Sequence, residues 1–196
     1  MKVHPQLWWF VARSSGVVAW SLCTLSVIWG LLLSTRMLGR RPPGPWLLDL
    51  HRFLGGLSVV FVAAHLTGLV ADTFVHFGPA ELFVPLASAW KPVPVAWGIV
   101  AMYLLVAVEV TSLLRSRIPK RLWHRVHLGS FGLYAVSTIH LLTAGTDAEG
   151  LLTDAAIASV AIVLFLSAFR VLGGRAAGIR RRAEPRPTAG ARRPLA

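Results

Sequence analysis

Polar and apolar positions in this chain alternate on the scale of whole helices rather than single turns. Between Arg13 and Arg36 there are 22 residues without a formal charge, between Arg52 and Asp72 there are 19, and between Arg125 and Asp147 there are 21. From Lys91 to Arg115 the run is interrupted only by Glu109, and Asp154 to Arg170 encloses a further 15 uncharged residues. A bilayer core of roughly 30 Å is crossed by about 20 helical residues, each rising about 1.5 Å. Lipid offers no partners for unpaired backbone groups, so runs of this kind form helices. The pattern predicts an all-α integral membrane protein, a bundle of about five transmembrane helices near residues 10–34, 47–71, 94–115, 122–145 and 152–173. The last is short and needs its charged ends at the interface. The first exceeds the roughly 7–15 apolar residues of a signal-peptide core, and no small-residue cleavage site follows it, so it is expected to be retained.

The connections differ in charge. The first contains Arg36, Arg40 and Arg41 with the breaker run Pro42-Pro43-Gly44-Pro45, and the third contains Arg115, Arg117, Lys120 and Arg121. The second carries Asp72, Glu81 and Lys91, and the fourth Asp147 and Glu149. Short basic loops stay in the cytoplasm. The expectation is a multi-pass cell-membrane protein with its N-terminus outside and its C-terminus in the cytoplasm, although Lys2 then sits on the outer side. In the long second connection, Ala80 to Trp90 is apolar with small residues and is expected to lie along the outer surface as a short helix. Trp8, Trp9, Trp90 and Trp97 suit an aromatic belt on that side.

Composition agrees. Only 14% of residues are charged against about 25% in ordinary soluble domains. The net charge of +12 is distributed as topology determinants, because seven arginines fall in residues 175–196 and most others flank the apolar runs. That distribution argues against nucleic acid as a partner and for membrane lipid. Residues 175–196, rich in Arg and Pro, are expected to form a basic disordered cytoplasmic tail after a membrane domain over residues 1–174. The single cysteine, Cys23, excludes an intramolecular disulfide and a thiolate-ligated cluster. No Ser-His-Asp set, carboxylate pair or phosphate-cradling loop points to hydrolysis.

Seven histidines remain: His4, His51, His65, His76, His124, His127 and His140. His65 and His140 lie deep in uncharged runs, where an ionisable side chain is costly and usually faces the bundle interior. His51 and His65 are 14 residues apart on the second span, and His127 and His140 are 13 apart on the fourth. These spans run in the same direction, so His51 shares a level with His127, and His65 with His140. The levels lie roughly 20 Å apart along the axis. Two histidines facing across a bundle supply both axial ligands of a haem iron through neutral imidazole nitrogens, and two such pairs make two haems between spans two and four. On an ideal helix, 14 steps return to within about 40° of the same face, whereas 13 leave His127 and His140 about 140° apart. Either the fourth span is distorted near Gly129 or Gly132, or the two sites differ in azimuth. His124 is a minority candidate, about 160° from His140.

This spacing, with the segment Trp123-His124-Arg125-Val126-His127 and the later His140, resembles the ferric reductase-like transmembrane domain. That group includes ferric reductases, the membrane half of NADPH oxidases and the haem subunit serving periplasmic methionine sulfoxide reductase. The resemblance covers roughly residues 14–173. It implies two b-type haems with His51, His65, His127 and His140 as iron ligands, in a haem-bearing membrane component of an oxidoreductase. Members often have six spans, against the five read here. No nucleotide-binding glycine pattern is present, so the expected electron donor is a separate flavoprotein reductase or a membrane quinol. The acceptor is extracytoplasmic: ferric iron, dioxygen or a partner reductase.

Other residues have two readings. Arg52 and Arg125, with Arg13 and Arg121, stand at the ends of the histidine-bearing spans, where guanidinium groups suit haem propionates or simply snorkel to the interface. Glu109 is a hydrogen-bond partner for a ligating histidine, a proton relay or an interfacial carboxylate. Gly55, Gly56, Gly68, Gly129 and Gly132 admit a flat macrocycle or ordinary close helix packing. A haem-free membrane protein, a small transporter or assembly subunit using its histidines for proton relay or helix contacts, is the competing function.

Overall fold

The computed structural model describes residues 6–35, 37, 44–145 and 150–183, the last nine by backbone alone. His4, Arg36, Arg40, Arg41, Asp147 and Glu149 therefore lie outside the described residues. Six helices follow one another: α1 (Leu7–Thr35), α2 (Gly44–Ala71), α3 (Pro79–Phe83), α4 (Pro92–Leu113), α5 (Lys120–Ala144) and α6 (Leu151–Ala183). No strand occurs among the described residues. Each predicted span has its helix, with ends shifted by a few residues except at the C-terminal end of α6, which runs ten residues beyond the predicted one.

Among the described residues, four helices are long and apolar enough to cross a membrane: α1, α2, α4 and the part of α6 over Leu151–Gly174. That is one fewer than the run lengths predict. The difference is α5, long enough at 25 residues but diluted by His127, His140, Gly129, Ser130, Ser137 and Thr138 behind a basic first turn. A run without formal charge is thus not everywhere a strongly apolar one.

The bundle is made of two antiparallel hairpins. Helix α1 packs along α2, and α4 along α5, while α1 also reaches α5 and α6. At Gly68 the backbones of α1 and α2 come close, and a Cβ there would fall 2.6 Å from the backbone nitrogen of Ala12. The hairpins join through apolar layers, one of Val27, Leu31, Tyr134, Val163 and Leu166, another of Cys23, Ala101, Leu105 and Leu133. Two polar contacts cross this seam: Trp20 Nε1 donates to Thr138 Oγ1 at 3.0 Å, and the Tyr134 and Ser159 hydroxyls lie 2.7 Å apart. By contrast, the backbones of α2 and α5 scarcely approach one another. The two histidine-bearing helices therefore face each other across a gap bridged by side chains.

The segment between α2 and α4 departs from expectation. Only Pro79–Phe83 is helical, not Ala80 to Trp90, because Pro85 has no N–H to continue the ladder. Phe77 and Leu82 turn inward and pack on Val95 and Ile99, closing one end of the bundle. At the C-terminal end, α6 continues to Ala183, nine residues into the stretch assigned to the tail. Residues 184–196, which hold the rest of the expected tail, lie outside the described residues.

Candidate functional site

The histidines meet by depth. The rings of His51 on α2 and His127 on α5 have centroids 5.9 Å apart and planes at 80°, and those of His65 and His140 are 6.4 Å apart at the same angle. The first couple is called the lower pair here and the second the upper pair. Helix α5 is α-helical from Lys120 to Ala144, without a break at Gly129 or Gly132. Its two rings therefore leave the helix about 140° apart, and the pairs differ in azimuth.

At the upper level, His65 Nδ1 donates to the Ala12 carbonyl at 2.6 Å, and His140 Nδ1 to the Pro94 carbonyl at 2.8 Å. A carbonyl oxygen only accepts, so the proton sits on Nδ1 and the lone pair of Nε2 is left for a ligand. Both rings abut glycines of neighbouring helices. A Cβ at Gly16 on α1 would fall 2.9 Å from His65 Nδ1, and one at Gly98 on α4 would fall 2.7 Å from His140 Cε1. A cavity of about 270 Å³ opens around this pair, lined among others by Trp9, Arg13, Asp72 and Trp90.

At the lower level, His51 Nδ1 donates to the Ser26 carbonyl at 3.0 Å, with Ser26 Oγ at 3.2 Å. Its ring lies over Gly30, whose added Cβ would be 3.3 Å from His51 Cε1. His127 is held otherwise. Its ring stacks on Trp123 at 5.0 Å and 19°, and the Arg115 guanidinium covers Trp123 at 4.9 Å. His127 Nδ1 is buried with no hydrogen-bond partner among the described residues.

The three glycines under the rings were not singled out from the sequence, yet a signal existed. Gly16 and Gly30 are 14 residues apart on α1, the spacing of His51 and His65 on the antiparallel α2. Of the glycines that were named, Gly55 receives the Glu109 carboxylate, with a Cβ there only 2.5 Å from Oε1, and Gly129 faces open space. Glu109 thus turns onto α2 at Gly55. Arg52 reaches Asp49 at 3.4 Å with both side chains exposed, and Arg125 is exposed two residues from His127. Arg13 lies over Trp9. His76 and His124 are exposed, the latter tilted against Trp123.

This donor set can be tested against a haem. No group of three or more His, Cys, Asp or Glu side chains suited to a bare metal ion occurs among the described residues. Two opposed imidazoles supply two axial positions and leave the equatorial ones to a flat macrocycle. Imidazole nitrogens bond metals at about 2 Å, which puts two rings on opposite sides of one ion at roughly 6 Å between centroids. Both pairs have that separation. With the tautomer fixed at three of the four rings and a gap between α2 and α5, the residues fit a haem at each level.

The family described as ferric reductase like transmembrane component matches residues 15–138, a stretch that holds His51, His65 and His127 and ends two residues before His140. Neither the curated proteins nor the solved structures give a match. With more than half of its length matched and three of its four paired histidines inside that stretch, the chain belongs to the ferric reductase like transmembrane component family.

Proposed function

We propose that this chain is a di-haem b-type electron-transfer protein, the haem-bearing membrane component of an oxidoreductase, carrying electrons from a cytoplasmic or quinol donor to an extracytoplasmic acceptor. Family membership supports the membrane electron-transfer role. The observation that carries the finer reading is the presence of two opposed histidine pairs at two depths, each about 6 Å between rings. Haem bound at both levels supplies one-electron redox centres within the apolar core.

The chain's own residues do the rest. His51, His65, His127 and His140 offer Nε2 lone pairs. The carbonyls of Ala12, Ser26 and Pro94 fix three of the rings in tautomer and orientation and raise their basicity. Gly16, Gly30 and Gly98 let those rings lie against backbone. Arg52 and Arg125, beside the lower pair, suit propionate carboxylates. Attachment is non-covalent, because no Cys-x-x-Cys-His sequence exists to form thioether links. In this reading α5 crosses the membrane as the fourth of five spans, and the lower pair with its Arg115, Arg117, Lys120 and Arg121 faces the cytoplasm. The donor is a separate flavoprotein or a quinol, and the acceptor is ferric iron, dioxygen or an extracytoplasmic reductase.

The test is an absorption spectrum of the detergent-purified protein with a pyridine haemochrome assay. The expected result is a Soret band that shifts on dithionite reduction and two haems per chain. A colourless preparation from haem-replete cells overturns the reading in favour of a haem-free membrane protein.

A further inference from the structure

Three of the four paired histidines give their Nδ1 proton to a backbone carbonyl, and one does not. That one, His127, keeps its place through a face-to-face stack on Trp123, which is itself covered by Arg115. The two kinds of support constrain a ring differently. A hydrogen bond fixes a direction in the ring plane and makes the opposite nitrogen a better donor. A stack fixes the plane but tolerates rotation within it. The same end of the bundle also holds two more buried polar atoms without partners among the described residues, Trp123 Nε1 and Ser112 Oγ. No buried side-chain polar atom of the upper pair is left in this condition.

We propose that the two levels are ligated unequally: His127 is the displaceable axial ligand, with Trp123 and Arg115 as its positioning residues, so that the lower level accepts a small neutral ligand such as carbon monoxide and the upper level does not. This rests on the two-haem reading above. With haem held at this level, a small neutral ligand would take the place of His127 Nε2, which would be released. The imidazole leaves as a neutral base, and no electron or proton changes hands. His127 then rotates on the Trp123 face and frees its buried Nδ1–H to find a partner. At the upper level the same exchange would break an Nδ1–H bond to the Ala12 or Pro94 carbonyl and press a ring into Gly16 or Gly98, so it is disfavoured.

The experiment is a carbon monoxide titration of the dithionite-reduced protein, on preparations shown by haemochrome assay to carry two haems per chain. The expected result is one carbon monoxide bound per chain and a shift of about half of the Soret amplitude. Trp123→Leu, which removes the stack, should lower the half-saturating concentration about tenfold, while Trp123→Phe, which keeps a flat ring, should stay near the wild-type value. Reaction of both haems, reaction of neither, or a titration unmoved by Trp123→Leu each overturns the proposal and leaves the two-haem reading standing. A preparation without haem ends both.

Discussion

At the upper level both rings give their Nδ1 protons to main-chain carbonyls and rest on glycines, and the loop around Phe77 and Leu82 closes the end of the bundle beside them. At the lower level only His51 is held in that way, on Ser26 and Gly30, while His127 leans on the side chain of Trp123. The difference lies in what can be altered. A carbonyl belongs to every residue and survives side-chain substitution, so the upper geometry is written into the helix backbones. The lower geometry depends on one aromatic side chain and is open to change by a single mutation.

The largest expected effect comes from the histidines themselves. His65→Ala and His140→Ala should remove the same haem, taking the haemochrome count from two to about one per chain, and the double variant should lose no more. His51→Ala and His127→Ala should define the other haem in the same way. A grouping of His51 with His65 would break the pairing by depth, and a loss in His124→Ala would move the lower ligand.

Next come the glycines. Gly98→Ala places a Cβ 2.7 Å from the His140 ring and should cut upper-level haem affinity about tenfold while the lower haem stays, as read by haem retention during washing. Gly30→Ala, with 3.3 Å available over His51, should be milder at the lower level, and Gly129→Ala, facing open space, should be silent.

Gly55→Ala is smaller again. The clash is with the end of the flexible Glu109 side chain, so a loss of about 1 kcal/mol in thermal unfolding is expected, recovered in the Gly55→Ala/Glu109→Ala double variant. Because Gly55 stands one turn from His51, any spectral change should appear in the lower haem.

The smallest stability effect belongs to Arg52→Gln. Its exposed pair with Asp49 contributes about 0–1 kcal/mol at most. Loss of lower haem with an unchanged melting temperature would assign Arg52 to the propionates, and no loss would leave it with Asp49 alone.

Much of this arrangement was legible in the residues before any coordinates. The helix positions followed from run length, though one run fewer than predicted is strongly apolar, and the shared direction of the second and fourth runs predicted that His51 meets His127 and His65 meets His140. The 13-residue spacing looked irregular only under the assumption that both pairs share one helix face. The loop after α2 was misread because its apolar content was weighed and Pro85 was not. The glycine platforms escaped notice because a glycine's effect depends on what packs over it, and the sequence of α1 does not state that α2 does so. Trp123 stood in the quoted motif without a role: residues 123 and 127 share one side of a helix, but the spacing does not state that the rings stack or that Arg115 covers Trp123. The mismatch between an uncharged run and an apolar one in α5 was visible in Gly129, Ser130, Ser137 and Thr138, had side-chain polarity been counted beside charge.

The composition of α5 also bears on how the protein is made. A segment that opens with Lys120, Arg121 and Arg125 and carries His127 and His140 among Gly129, Ser130, Ser137 and Thr138 is only weakly hydrophobic, and so a poor solitary passenger for the insertion machinery. Helix α4 emerges from the ribosome six residues earlier and packs along α5. The two should therefore leave the translocon as one hairpin, with α4 supplying the hydrophobicity that α5 lacks. Until that hairpin docks on α1 and α2, His51 and His65 have no counterparts, so cofactor capture is a late event in biogenesis, and chains stalled before Lys120 are expected to reach the bilayer empty.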